Sequence, residues 1–345
     1  MIVTDAWFPQ VNGVVRTLST LRDELTQLGH AVAMITPDQF RSVPCPTYPE
    51  IRLAVRPGRR IAQLIEAHQP CAIHIATEGP LGWAARRYCL KRHLPFTTAY
   101  HTKFPEYIQA RFRVPLRLSY PIIRRFHAPA SSVMVATPTI EQELTARGFA
   151  RLRRWSRGVD TELFRPHSDA ELRAALPEMM ALPRPLFLYV GRVAVEKNIE
   201  AFLNADLPGS KVVVGSGPQL DSLRTRYPQV VFTGPKQGAA LAAHYAAASV
   251  FVFPSKTDTF GLVMLEALAC GVPVAAYPVP GPLDVIGQSP AGVLDHDLSR
   301  AARHALSIPH TVCRDYALTF SWQACTLQFL HNLHPFDPVP VWDAS

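Results

Sequence analysis

Long apolar runs are missing from this chain. Polar residues such as His244 and Glu266 interrupt every stretch of about 18 residues, which excludes a membrane-spanning helix. No basic segment leading into an apolar one precedes Asp5, so a secretory leader is not expected and a cytoplasmic setting is. Cysteine is sparse. Cys45, Cys71, Cys89, Cys270, Cys313 and Cys325 form no C-x-x-C pair, so zinc-ribbon and thioredoxin-like readings fail and reduced, free thiols are expected. No G-x-x-x-x-G-K-[ST] string is present, which excludes a P-loop enzyme. No G-x-G-x-x-G follows the first apolar run, which argues against a dinucleotide oxidoreductase. Charged residues make up only 18% of the chain, but 48% is apolar, the balance of a folded protein.

Proline, at 32 residues, is plentiful and predicts many defined loops. The 345 residues suit two domains of roughly 150 each. The net charge of +8 is unevenly placed. Residues 1–157 hold 22 of the 35 Lys and Arg but 10 of the 27 Asp and Glu, a net +12, which leaves residues 158–345 at −4. A basic first half points to an anionic membrane, nucleic acid or an anionic substrate.

Both halves alternate short β-branched runs with amphipathic stretches, the mark of parallel α/β units. In the first half, Ile2–Thr4, Ala31–Thr36, Ala72–Ala76, Phe96–Tyr100 and Ser132–Ala136 read as strands, with helices over Val14–Leu28 and Pro80–Arg92. A break at Gly158–Pro166 precedes a restart. Strands are then expected at Leu186–Val190, Lys211–Val214, Val230–Thr233, Val250–Phe253 and Val272–Ala276. Helices are expected at Glu196–Leu203, Gln219–Tyr227, Ala239–Ala248 and Gly261–Ala269, and a last one at Phe320–Leu333 before a Pro-rich surface tail. The expected domains are 1–157 and 158–319, with 320–345 packing back towards the first. Two such domains facing a cleft would bind ligand beyond the carboxyl ends of their strands.

The segment FVFPSKTDTFGLVMLEALACGVPV, Phe251 to Val274, carries most of the chemistry. A buried strand ends at Pro254, a polar loop runs from Ser255 to Thr259, and a helix opens at Phe260–Gly261. The amides of Gly261, Leu262 and Val263 would then face the strand ends, where unpaired N–H groups and the helix dipole suit phosphate. Glu266 can accept hydrogen bonds from ribose hydroxyls, and Asp258 can meet the transferred sugar. The competing reading makes Asp258 or Thr259 an ordinary N-cap and Glu266 a solvated residue. In YVGRVAVEKN, Arg192 follows Gly191 at a strand end and Lys197 opens the next helix, so two cations could neutralise a diphosphate without metal. Taken singly, each also reads as a surface charge. In PQVNGVVRTL, Gly13 lies between strand and helix, where backbone and phosphate can approach closely, although a lone glycine equally marks a plain turn. The D-x-D string Asp295-His296-Asp297 reads as loop and N-cap rather than as a metal site.

Taken together, these strings resemble glycosyltransferase family 4, the retaining family of the two-domain GT-B fold. Asp258 and Glu266 are similar to its E-x7-E motif with Asp in first place, and GRVAVEKN resembles its Arg/Lys clamp. VVVGSGPQLDSL, FTGPKQG and SRGVDTELFRP fit as well. TDAWFPQVNGVVRTL and AYHTKFPEYI resemble the branch with bacterial mannosyltransferases and sulfoquinovosyl or glucuronosyl lipid synthases.

The resemblance implies an α/β, GT-B fold of two Rossmann-like parallel-sheet domains. It implies that Arg192 and Lys197 grip the donor diphosphate and Glu266 the ribose. Gly13, Val14, Gly191, Gly215, Thr259, Phe260, Gly261, Leu262 and Val263 would complete the donor site. Pro235 would line the base pocket, and His101 would touch the donor sugar near the reacting carbon. No cofactor or metal is implied; the substrate is a UDP- or GDP-linked sugar. The expected activity moves a hexose or hexuronic acid to a lipid such as diacylglycerol or a glycolipid, at an anionic membrane's cytoplasmic face. The alternative is GDP-mannose-dependent α-mannosyl transfer to a soluble or polysaccharide acceptor. A nucleic-acid partner is not expected, since no recognised motif supports the basic charge.

For docking to a membrane, Ile108–His127 interleaves Phe112, Leu116, Leu118, Ile122, Ile123 and Phe126 with Arg111, Arg113, Arg117, Arg124 and Arg125. Pro115 and Pro121 should break it into short pieces.

Overall fold

In a computed structural model of the protein, residues 1–10, 12–45, 48–337 and 342 are described. The chain divides into two compact units, residues 1–156 with 323–345, and residues 157–322.

The first unit contains β1 (Ile2–Val3), β2 (Met34–Ile35), β3 (Ser42–Cys45), β4 (Tyr48–Ala54), β5 (His74–Ile75), β6 (Thr97–Tyr100), β7 (Ser132–Val135) and β8 (Leu152–Arg154). Its sheet runs β2-β1-β5-β6-β7-β8 with every pairing parallel, while β3 and β4 pair antiparallel apart from it. The apolar runs predict longer strands than these. β1 offers only Ile2 and Val3 for pairing, and β2 and β5 pair with it over two residues each. Val3, Ile35, Ile75, Phe96, Phe126 and Val133 form the core between the sheet and its helices. The helices Gly13–Gln27 and Pro80–Lys91 lie close to the predicted spans.

The last helix, Trp322–Asn332, closes the open edge of this sheet. Gln328 Oε1 accepts from Ser156 N at 2.8 Å, and Asn332 Nδ2 donates to Arg154 O at 2.7 Å, so β8 does not present a bare edge there. The tail is not purely superficial. Phe336 is buried in the first core, and its N–H donates to Cys71 O at 2.7 Å. The rest of the predicted tail, 338–341 and 343–345, lies outside the described residues.

The second unit contains β9 (Leu186–Val190), β10 (Ser210–Val214), β11 (Val231–Gly234), β12 (Val250–Phe253), β13 (Val274–Ala276) and β14 (Gly292–Leu294). All pair in parallel, in the order β11-β10-β9-β12-β13-β14. This is the Rossmann order, which reverses between β9 and β12 and opens a crevice at their carboxyl ends. β9 is buried along its whole length, as a central parallel strand requires.

Three predicted elements differ. The helix expected over Glu196–Leu203 is split into a 3₁₀ turn, Val195–Lys197, and a helix, Ile199–Asn204, by Asn198 at φ 52°. Asn tolerates that left-handed conformation, and its Nδ2 donates to Pro254 O at 3.0 Å. The helix expected to open at Phe260–Gly261 starts at Leu262, after Gly261 at φ 87°. Pro115 does separate two helices, Phe104–Phe112 and Leu116–His127, but Pro121 lies inside the second without ending it. Pro121 and Arg117 are both exposed, so the Arg117 carbonyl that Pro121 cannot bond is open to solvent.

Candidate active site

In the second unit, the predicted residues gather at one edge of the sheet. Gly191 and Arg192 follow β9, Gly215 follows β10, Pro235 follows β11, and the loop from Ser255 to Gly261 follows β12. Because the sheet is parallel, these all emerge at its carboxyl edge. Arg192 with Lys197, and Asp258 with Glu266, flank the point where strand order reverses.

The backbone here is tightly built. A Cβ on Gly215 would lie 1.9 Å from Gly191 O, and its φ of +146° disfavours a side chain anyway, so the ends of β9 and β10 meet only because this residue is glycine. The Tyr189 phenol donates to Arg192 O at 2.7 Å, and Val193 N donates to Ser216 O at 2.9 Å. Neither Tyr189 nor Ser216 was expected to contribute. The arginine therefore hangs from a fixed backbone.

The loops after β9 and β12 are stitched together. Lys197 Nζ donates to Asp258 Oδ1 at 2.5 Å, Asn198 Nδ2 to Pro254 O at 3.0 Å, and Thr257 Oγ1 to Glu196 O at 3.0 Å. Lys197 and Asp258 form a partly buried ion pair, their side chains 20% and 17% exposed. The second oxygen, Asp258 Oδ2, is buried with no hydrogen-bond partner among the described residues. Asp258 is thus neither an N-cap nor a solvated charge. Thr259 is buried and does not hold the N-cap position, which is Gly261.

The helix Leu262–Ala269 directs its first turn towards the same edge. Its first recorded backbone bond runs from Met264 N to Gly261 O at 3.0 Å, so the Leu262 and Val263 amides belong to the open turn that suits an anion. Phe260 is buried beneath them. Glu266 is not solvated: it is 3% exposed, and its Oε2 accepts from the Tyr245 phenol at 2.9 Å. Tyr245 was not visible in sequence, because it lies on the helix Gly238–Ala246, 21 positions away from the carboxylate it meets.

In the first unit, Gly13 opens a helix after β1. Asn12 is its N-cap and takes the amides of both Val14 and Val15 at 3.0 Å, so a phosphate could use Val14 N only by displacing that cap. His101 follows β6 and packs edge-on against Trp155, ring centroids 5.5 Å apart. Two positions on, Lys103 is buried and pairs with Glu143 at 2.7 Å. At the end of β1, Asp5 accepts from Leu81 N at 2.8 Å, Gly82 N at 3.2 Å and Thr77 Oγ1 at 3.0 Å, capping the helix Pro80–Lys91 from another strand. Burial pushes its carboxyl up to about 6.

Asp297 caps the helix Leu298–Ala305 through Ser299 N and Arg300 N, and Asp295 pairs with Arg300. Both acidic groups of the D-x-D string thus have structural partners.

The profile of Glycosyltransferase Family 4 matches residues 11–163, and that of Glycosyl transferases group 1 matches residues 184–308. The chain is 32% identical over 320 residues to the sulfoquinovosyl transferase of Arabidopsis thaliana, covering 85% of this chain but 62% of that protein's length. It is 32% identical over 316 residues to the GDP-mannose-dependent alpha-mannosyltransferase of Mycolicibacterium smegmatis, covering 85% and 83%. It is 29% identical over 346 residues to the alpha-monoglucosyldiacylglycerol synthase of Streptococcus pneumoniae, covering 88% and 77%. Among solved structures, the sucrose-phosphate synthase of Thermosynechococcus elongatus superposes with a TM-score of 0.74 at 24% identity over 96% of both chains, a likeness of fold. With two parallel-sheet domains and these relatives, the chain belongs to glycosyltransferase family 4 and is a glycosyltransferase of the GT-B type.

Proposed function

We propose that the protein transfers a hexose or hexuronic acid, with retention of configuration, from a UDP- or GDP-linked donor to a lipid acceptor, such as diacylglycerol or a glycolipid, at an anionic membrane surface on the cytoplasmic side. The observation that carries the acceptor is an exposed apolar face on the helices after β6. Phe104 and Phe112, 48% and 61% exposed, stand on one side of the first helix. Leu118 and Ile122, 57% and 58% exposed, stand one turn apart on the next. Arg113, Arg117, Arg124 and Arg125 are exposed around them. Apolar groups rimmed by arginines suit the headgroup boundary of an anionic bilayer. None of the helices among the described residues is long and apolar enough to cross one. The name of the Streptococcus relative, that of a diacylglycerol-based product, points the same way.

In this reading Arg192 and Lys197 neutralise the departing diphosphate, the Leu262 and Val263 amides add hydrogen bonds, Glu266 takes the ribose and Asp258 the sugar. Pro235, Gly13 and His101 keep the roles the resemblance gives them. No cofactor or metal is required. No carboxylate is assigned as nucleophile, because the leaving phosphate can take the acceptor's proton on the face it leaves. The alternative, GDP-mannose-dependent transfer to a soluble or polysaccharide acceptor, is favoured by the Mycolicibacterium relative, which is matched over more of its length.

The test is to offer UDP-, GDP- and ADP-sugars with vesicles holding diacylglycerol, or with soluble glycans, and to read the anomeric proton of the product by NMR. An α-linked glycolipid supports the proposal. A β-linked product from an α donor refutes retention, and transfer to soluble glycans alone refutes the lipid acceptor.

A further inference from the structure

Glu266 raises a physical problem of its own. Its carboxylate is 3% exposed on the helix Leu262–Ala269, among apolar side chains, and a buried carboxylate needs donors. The Tyr245 phenol, itself fully buried, supplies one to Oε2 at 2.9 Å. That phenol is held rather than merely near. Its ring packs edge-on between Phe164, with centroids 5.8 Å apart, and Phe251 of β12, at 5.6 Å. Phe164 is held in turn by Arg314, whose Nη1 donates to Phe164 O at 2.7 Å and to Ala269 O at 2.8 Å, and whose Nη2 donates to Thr161 O at 2.9 Å. The arginine thereby ties the segment carrying Phe164 to the end of the helix carrying Glu266.

We infer that Tyr245 is a positioning residue for ribose recognition: it fixes the rotation of the Glu266 carboxylate, so that the protein distinguishes a ribonucleotide from a deoxyribonucleotide. The inference rests on the reading that Glu266 holds the ribose. A carboxylate accepting from a sugar hydroxyl is selective only when its oxygens are aimed beforehand, since an unaimed group loses entropy on binding. The hydrogen bond from Tyr245 supplies that aim. Removing the hydroxyl while keeping the ring takes this one restraint from the Glu266 carboxyl and leaves the residue in place. Discrimination should then fall, whereas affinity for a nucleotide lacking the 2′-hydroxyl should hardly change.

The experiment titrates whichever of UDP, GDP and ADP binds tightest, together with its 2′-deoxy counterpart, into the wild-type protein and the Tyr245→Phe and Glu266→Ala variants. The expected result is that Tyr245→Phe weakens the ribonucleotide about tenfold, an order set by one lost charge-assisted hydrogen bond. The deoxy form should stay within twofold, and donor KM should rise while kcat holds. Phe164→Leu, which loosens the ring's packing, should move the ratio the same way to a smaller degree and serves if Tyr245→Phe does not fold. A purely structural role would lower Tm and leave the ribo-to-deoxy ratio at its wild-type value; that result overturns the inference. If Glu266→Ala also keeps the wild-type ratio, the ribose reading of Glu266 falls. If Glu266→Ala loses discrimination and Tyr245→Phe does not, only the role of Tyr245 falls.

Discussion

Lys197 Nζ lies 2.5 Å from Asp258 Oδ1, so the lysine proposed to grip the donor diphosphate and the carboxylate proposed to meet the donor sugar are ion-pair partners. The pair spans the loops after β9 and β12. On that proposal, a diphosphate would compete with Asp258 for the same ammonium group. A partly buried pair of this kind places each charge for the other's use, and losing either partner leaves an uncompensated charge.

The two partners should therefore fail differently when changed. Lys197→Ala and Arg192→Ala each remove a cation from the developing phosphate charge and should slow turnover by roughly 10²–10³. Asp258→Asn removes the negative charge opposite Lys197, so the bare nucleotide diphosphate should bind as well as in the wild type or a few-fold tighter, while turnover drops at least about tenfold. Calorimetric titration beside initial rates separates these outcomes. A loss of nucleotide affinity in Asp258→Asn would contradict the assignment, as would full activity in Lys197→Ala or a collapse of wild-type activity in EDTA.

Gly215 offers a test of the scaffold rather than of the chemistry. Its missing Cβ leaves room for Gly191 O, only 1.9 Å from where that atom would stand, at a φ of +146°. Gly215→Ala must push apart the ends of β9 and β10 and should cost about 2–3 kcal/mol of stability. Urea denaturation gives the value directly. A variant with an unchanged midpoint would mean that the two strand ends are not in close contact in solution.

The two parallel sheets were legible because parallel α/β units write themselves as buried β-branched runs between amphipathic stretches, and Leu186–Val190 and Val250–Phe253 emerge at the predicted bounds. The site was legible only as types and spacings. Nothing in the spacing of Asp258 distinguishes a capping residue from a partner of Lys197, because the lysine lies 61 positions away on the loop after another strand. Glu266 likewise has a sequence position but no sequence-visible partner, since Tyr245 comes to it through helix packing. Pro121 shows the opposite failure: a residue that breaks helices in general is tolerated on an exposed face, where the Arg117 carbonyl it leaves unbonded is open to water.

The carboxyl of Asp5 should make the stability of the first unit depend on pH. Burial raises it from 3.8 to about 6, against the pull of the Leu81 and Gly82 amides. Below 3.8 both folded and unfolded chains hold the proton. Between 3.8 and about 6 the folded chain still holds it while the unfolded chain has lost it. Stability from this group therefore falls as pH rises across that window. Asp5→Asn keeps an acceptor for the helix Pro80–Lys91 but cannot ionise, so its denaturation midpoint should fall less than the wild type's between about pH 4 and about pH 6. Tryptophan fluorescence suits the measurement, because Trp7, Trp83, Trp155 and Trp342 all lie in the first unit. Equal slopes for the two proteins would show that Asp5 is not the group responsible.

The proposed membrane face can be tested without knowing the acceptor. Leu118 and Ile122 form the outward ridge of the helix Leu116–His127, and the exposed Arg117 and Arg125 flank it. An arginine at an anionic surface contributes about 1 kcal/mol. Arg117→Glu with Arg125→Glu should therefore lower partitioning onto vesicles containing phosphatidylserine by at least about 30-fold. Leu118→Ser with Ile122→Ser should weaken it too, but with little change in its salt dependence, since that pair removes apolar area and no charge. Both pairs are exposed, so thermal melting should be unaltered. Vesicle sedimentation at low and high salt reads all of this. A wild-type protein that ignores anionic vesicles at low salt would remove the membrane from the proposal. The donor-site assignments of the second unit would be untouched, because none of them depends on the face that carries Leu118 and Ile122.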